Sequence, residues 1–320
     1  MSSTSSSSDA ETKVCLLTGA SGTIGYAIAK ALHASSSSLS SVSSSSWHII
    51  LIGRRPPQTF DCESTPPYDA FLEVTDLTNE SVVVSTLNTH FNSLKNSTCV
   101  KKQSLDRLDL LINCAGCSLG NNPIVDVSAE TLRQVMEVNL IVPYILSRWA
   151  MSKMATSIPS GGRIINIGSI ACESPRLHSV PYTTSKYALS GLTRALSIEG
   201  RNLSKTTKCA ELVGGGCGGV VAVCQINPGN VRSAIMSAEE AARREREEGF
   251  VDADDIGKYV AMVANLPNET NVLESTVMPT RQPLVGRGCV CFPCLFVTTY
   301  FLAHAKIPFI YVTDDLQVNN

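Results

Sequence analysis

Apolar residues in this chain fall in short, nearly continuous runs, separated by stretches in which they recur at helical spacing. The run at 14–17 stops at a glycine-rich turn and is followed by helical spacing over 24–32, which predicts strand, tight turn and helix. The rhythm then repeats. Strands are predicted at 48–52, 71–74, 108–112, 163–167, 220–226 and 272–278. Helices are predicted at 79–94, 129–155, 184–199 and 252–266, the long second one interrupted near Pro143. Strands that are apolar on both faces belong in a parallel sheet covered on two sides, and right-handed crossovers wind such a sheet doubly. The expected fold class is α/β, a doubly wound parallel sheet of Rossmann type in a single domain, without internal repeats.

Several segments stand outside this rhythm. Residues 1–12 read as a disordered polar lead, 13–288 as the domain, and 289–320 as an apolar extension. Residues 35–46 hold ten serines interrupted only by Leu39 and Val42, a flexible insertion with no catalytic role. Residues 56–68, with paired prolines twice, form a surface connection, and the glycine-rich 214–219 reads as another insertion. The charged helix expected over 239–248 is either a solvated face or, from its place after the sixth strand, a lid.

Composition changes the picture only by exclusion. A chain of 320 residues, 43% apolar, suits one α/β unit with insertions, and a net charge of −2 gives no reason to expect nucleic acid or an anionic membrane. The 12 cysteines are scattered rather than spaced as a disulfide framework, so a reducing, cytoplasmic setting is expected. The serine-rich start lacks both the basic and apolar parts of a secretory signal and the arginines of a transit peptide. The stretch 289–312 is apolar but carries Pro293, His304, Lys306 and Pro308. An arm packed on the core or on a partner subunit is the favoured reading, a membrane anchor a weaker one, and a disordered or non-native extension the remaining one. Cys289, Cys291 and Cys294 there could be acylated; a metal site would lack a second ligand pair.

Candidate chemistry begins at the first strand–helix junction, Thr18-Gly19-Ala20-Ser21-Gly22-Thr23-Ile24-Gly25. Glycines there let backbone N–H groups and a helix N-terminus approach a pyrophosphate. The candidate contacts are Gly19, Ser21, Gly22, Ile24 and Gly25. The second strand ends in Gly53-Arg54-Arg55 with no acidic residue. An acid there would accept from a ribose 2′-OH, whereas Arg54 and Arg55 suit a 2′-phosphate, so NADP is expected and NAD less so. The plainer alternative is two arginines flanking a surface loop. Tyr182 and Lys186 lie four apart at a helix start, on one face. An ammonium near a phenol favours the phenolate, lowering a pKa of about 10 toward neutrality, as general acid–base work on a carbonyl or alcohol requires. Ser169, at the exit of the preceding strand, offers a hydroxyl for the substrate oxygen.

In this order the stations resemble the short-chain dehydrogenase/reductase family over roughly 13–288. They are the TGASGTIG turn, Asp76 with Leu77, Asn113-Cys114-Ala115-Gly116, Asn139, Ser169, Tyr182-Thr183-Thr184-Ser185-Lys186 and Asn227-Pro228-Gly229-Asn230-Val231. The stretch Val277-Met278-Pro279-Thr280-Arg281-Gln282 resembles the end of a subgroup acting on small 3-hydroxy acids and serine-like alcohols. The resemblance implies hydride transfer between NADP(H) and the carbonyl or alcohol carbon of a small substrate. Tyr182 is then the acid/base, Lys186 the ribose-binding cation, Ser169 the holder of the substrate oxygen, and Asn139 the holder of a relay water. Asp76 and Leu77 meet the adenine, Asn113, Ala115 and Gly116 line the adenosine ribose, and Pro228, Gly229 and Val231 pass the nicotinamide amide. No metal is implied, and pairing of long helices into a homodimer or homotetramer is.

Two departures are visible. The commonest family cradle has glycine where this chain has Thr23, and Cys114 replaces the usual second asparagine, where it reads as a small packed residue. The competing readings are a catalytically silent NADP-binding scaffold or sensor, and the same enzyme held at a membrane by its tail.

Overall fold

The computed structural model describes residues 11–35, 46–57, 66–95, 105–157, 161–203, 219–232 and 238–284. Residues 36–45 of the serine-rich insertion, most of the glycine-rich segment at 214–219 and the whole 289–320 extension with its cysteines lie outside the described residues. Seven parallel strands form one sheet in the order β3-β2-β1-β4-β5-β6-β7. They are β1 (Thr12–Thr18), β2 (Ser46–Gly53), β3 (Ala70–Glu73), β4 (Leu110–Asn113), β5 (Gly162–Ile167), β6 (Val221–Pro228) and β7 (Glu274–Val277). β1 starts at Thr12, one residue inside the expected lead, and Glu11 pairs with Arg107.

Alternation along the strands builds two cores. Val14 and Leu16 face one side with Ile50, Ile52, Leu111, Ile164 and Val223. Cys15 and Leu17 face the other with Ile49, Leu51, Ile112, Ile165 and Cys224. The first side is covered by α2 (Glu80–Lys95) through Val83, Leu87 and Phe91, and by α4 (Val142–Thr156). The second is covered by α1 (Thr23–Ser35) through Ile28 and Leu32, and by a helix at Ala253–Ala264 through Ile256, Val260 and Val263. That last helix and α1 touch backbone to backbone, since a Cβ on Gly257 would stand 2.5 Å from the Ala27 carbonyl oxygen.

The chain leaves β1 toward β2 and β3 on one side and returns to β4 on the other, so the connections diverge at the carboxyl ends of β1 and β4. That crevice is where doubly wound sheets take their ligands. Opposite it, at the start of β5, Arg163 is 1% exposed and donates from Nη2 to the carbonyls of Leu266, Pro267 and Thr270. One buried cation thereby fastens the loop leading into β7.

Several boundaries differ from expectation. The long helix is α3 (Ala129–Met136) followed by a π turn, Glu137–Ile141, and then α4, so the interruption precedes Pro143. Pro143 has no N–H to give the carbonyl four residues before it, and a wider turn absorbs the defect. Next, α5 (Val180–Asn202) begins four residues earlier than its apolar spacing predicts, because Pro181 is pre-set for a first helical turn. Finally, β4 starts at Leu110 rather than 108, although Leu108 is itself buried. The charged segment forms α6 (Ala238–Glu247), and Ala253–Ala264 is α7. Among the described residues no helix is long and apolar enough to cross a membrane.

Candidate active site

The turn after β1 is shaped by what cannot fit there. Gly19 has φ +73°, and a Cβ on it would lie 2.6 Å from the Ala115 nitrogen. On Gly25 a Cβ would lie 2.3 Å from the Gly19 carbonyl oxygen. These two glycines, rather than Gly22, carry the close approach. Gly22 donates its N–H to Gly19 O at 3.0 Å, and its added Cβ would meet only ordinary contact. Ser21, Gly22 and Thr23 stand exposed at the lip, with Ile24 half-buried behind them at the start of α1. Thr18 Oγ1 accepts the N–H groups of both Cys114 and Ala115 at 3.0 Å, tying the turn after β1 to the turn after β4.

Arg54 and Arg55 are exposed just past β2. Asp76 is exposed as well, and its Oδ1 accepts from Thr78 N at 2.9 Å and Thr78 Oγ1 at 2.7 Å, which hold its carboxyl below the usual range. Leu77 beside it is half-buried. Asn113 turns its side chain inward, not toward the crevice. Its Nδ2 donates to Asn166 Oδ1 at 2.8 Å and to Ser147 Oγ at 3.3 Å, so it ties β4 to β5 and α4. The crevice is lined at this point by Ala115 and Gly116. Cys114 is packed away, and burial pushes its thiol up to about 12.

Several elements converge on Lys186. It is 5% exposed, its Nζ donates to the Ile167 carbonyl at 3.0 Å, and Nζ lies 5.6 Å from the Tyr182 ring centre. A Cβ on Gly116 would stand 3.9 Å from that Nζ and 3.3 Å from Asn139 Oδ1, so the turn after β4 passes directly beside both. Two residues beyond Ile167, half-buried Ser169 caps a 3-10 turn by accepting the Ala171 N–H at 3.1 Å. Asn139 sits in the π turn with Oδ1 accepting the Cys117 N–H at 2.8 Å. Its Nδ2 donates to the Cys117 carbonyl and to Ser185 Oγ, each at 2.9 Å. Both amide protons are thus committed within the protein. Ser185 Oγ passes its own proton to the Tyr182 carbonyl at 2.7 Å.

Burial pushes the Cys117 thiol pKa up, and the positive charges of Lys186 and Arg54 oppose that shift. At the end of β6, Pro228 is buried, and the Gly229 N–H just after it donates to Val277 O at 2.8 Å. Val231 forms a parallel bridge with Val251.

The family model described as short chain dehydrogenase matches residues 72–244, more than half of the chain. The chain belongs to the short-chain dehydrogenase family. An uncharacterized oxidoreductase of Staphylococcus aureus is 27% identical over 268 residues, covering 83% of this chain and 97% of that protein. Among solved structures, serine dehydrogenase from Escherichia coli superposes with a TM-score of 0.60 at 20% identity, covering 84% of this chain and 99% of that one. An alcohol dehydrogenase from the archaeon Thermococcus sibiricus, complexed with 5-hydroxy-NADP, superposes with a TM-score of 0.61 at 18% identity, covering 85% and 99%. Both structures share this fold.

Within this short-chain dehydrogenase scaffold, sequence reasoning singled out Tyr182, Lys186, Asn139 and Gly116, and the tertiary structure brings them together. It missed Thr18, Cys117 and Ser185 as site-building residues. Thr18 and Ser185 were inside motifs already quoted; their hydroxyls carried no signal until their partners, 96 and 46 residues away, were known. Asn139→Ala would leave the Cys117 N–H, the Cys117 carbonyl and Ser185 Oγ without this partner. Chemical denaturation of the variant should show a loss of about 2–4 kcal/mol, and a loss below about 1 kcal/mol would mean that the amide is not holding the site together.

Proposed function

We propose that this chain is an NADP-dependent oxidoreductase interconverting a carbonyl and an alcohol on a small substrate, with Tyr182 as the general acid/base. The observation that carries the reading is the buried Lys186 ammonium, fixed by the Ile167 carbonyl and set beside the Tyr182 ring. Support for a nicotinamide dinucleotide comes from the cradle, where Gly19 and Gly25 leave no space for a Cβ and exposed backbone opens at the N-terminus of α1. When bound, the cofactor supplies or takes up the hydride.

The residues of the chain do the rest. Gly19, Ser21, Gly22, Ile24 and Gly25 hold the pyrophosphate, and Asp76, Leu77, Ala115 and Gly116 line the adenosine side. Pro228, Gly229 and Val231 border the nicotinamide end. Ser169 donates to the substrate oxygen, and Tyr182 gives that oxygen its proton on reduction and removes it on oxidation. The Lys186 charge attracts the negative charge that gathers on the phenolic oxygen as its proton leaves. A relay water is assigned to the Asn139 carbonyl, which Pro143 cannot supply with an N–H, because the Asn139 amide protons are committed elsewhere. The substrate class follows the subgroup resemblance, small hydroxy acids and serine-like alcohols. In this reading residues 13–288 form the catalytic domain. Two copies pair through α4 and α5, where Tyr144, Tyr187 and Ile198 are exposed.

A panel of small carbonyl compounds followed at the NADPH absorbance band should reveal turnover. Tyr182→Phe should lower it by about 10²–10⁴-fold with an unchanged circular dichroism spectrum, and a variant of parental rate would exclude the assigned mechanism. Arg54→Asp combined with Arg55→Ala should weaken NADPH binding about tenfold more than NADH binding; equal weakening would mean these arginines do not read a 2′-phosphate. Alanine at Tyr144, Tyr187 and Ile198 together should shift the mass measured by light scattering from an oligomer to a monomer, and an unshifted oligomer would place the interface elsewhere.

A further inference from the structure

The segment after β7 has no part in the mechanism above, yet it is built against the site. Gln282 is 3% exposed, and its Oε1 accepts the Asn230 N–H at 2.8 Å. A Cβ on Gly229 would stand 2.4 Å from the same oxygen and 3.0 Å from the Met278 Cα, so glycine lets the two segments come this close. The Gly229 N–H on the Val277 carbonyl makes a second tie at 2.8 Å. Gln282 is itself fixed by a turn, its N–H donating to Pro279 O at 3.0 Å.

Arg281 reaches the other way. Its Nη2 donates to the Glu245 carbonyl at 2.9 Å and its Nη1 to the Arg246 carbonyl at 3.2 Å, where α6 ends with unsatisfied acceptors and the negative end of its dipole. Asn230 Nδ2 closes the triangle by donating to Glu248 Oε2 at 2.5 Å. Two adjacent side chains thus join the turn after β6, the end of α6 and the segment after β7.

We propose that Gln282 is a positioning residue for the cofactor, its Oε1 holding the backbone of the 228–231 turn in the place where the nicotinamide end is laid. The role rests on assigning that turn to the nicotinamide, as above. The working atom is the acceptor. Among the described residues the buried Gln282 Nε2 has no hydrogen-bond partner, so the hold described here runs through Oε1. A carboxylate at this position keeps an acceptor of the same reach. Methionine keeps the length without one, and asparagine is one methylene too short.

Hydrogen exchange on the full chain without cofactor reads the hold directly. Gln282→Met and Gln282→Asn should each speed exchange of a peptide spanning 228–232 by about tenfold or more, with peptides from β1 and α1 unchanged, while Gln282→Glu stays within about threefold of the parent. NADPH titration by fluorescence should show binding weakened about five- to fiftyfold in the first two variants and less than about fivefold in Gln282→Glu. Parental exchange in both Gln282→Met and Gln282→Asn overturns the hold whatever NADPH does. Faster exchange with parental NADPH affinity overturns the positioning role. A parent that binds neither NADPH nor NADH removes the cofactor reading and the positioning role with it, while the exchange result still decides whether Gln282 holds the turn.

Discussion

A single hydroxyl keeps the two halves of the crevice in register. β1 and β4 are neighbours in the sheet but their connections run to opposite sides, so the turns leaving them would otherwise splay apart. Thr18 Oγ1 accepts two consecutive backbone N–H groups from the turn after β4, and Gly19 has given up its side chain to let that turn come within contact of the backbone. Both donors are buried or half-buried, and unpaired they would each cost about 1–3 kcal/mol. The same turn then runs past Gly116 to Lys186 and Asn139, so the glycine turn after β1 and the surroundings of Lys186 are set by one short piece of chain.

Behind the crevice lies a string of buried amides and hydroxyls. Asn113 donates to Asn166, Asn166 to Thr193, Thr193 to Gln225, and Gln225 to Ser190 and Asn227. These side chains sit at the carboxyl ends of three adjacent strands and on α5, the helix that carries Tyr182 and Lys186. An apolar core at this level would let α5 slide along the sheet at little cost, whereas a directional network admits one placement. Gly168 completes it, since a Cβ there would fall 2.0 Å from Asn227 Oδ1.

Much of this was legible in the residues. The two-face apolar runs led to a parallel doubly wound sheet, and the order of the TGASGTIG turn, Asn139, Ser169, Tyr182 and Lys186 led to a family of oxidoreductases, which the family match bears out. Periodicity failed where a proline sets the local geometry. The break expected near Pro143 is present as a π turn just upstream of it, whereas Pro181 opened α5 ahead of its apolar stripe. Asn113 was read as lining the adenosine ribose, but its side chain faces β5 and α4. An amide's direction depends on which partners surround it, and Asn166 and Ser147 are 53 and 34 residues away.

The sequence by itself determined the fold class, the family and the local pairing of Tyr182 with Lys186, because those follow from spacing along a strand or around a helix. Only the tertiary structure decided which glycines are indispensable, that the Asn139 side chain is committed to Cys117 and Ser185, and that Gln282 closes on the turn after β6. Each of those depends on atoms distant in the chain that come within hydrogen-bonding or contact distance, and such distances exist only once the sheet has brought its carboxyl edge together.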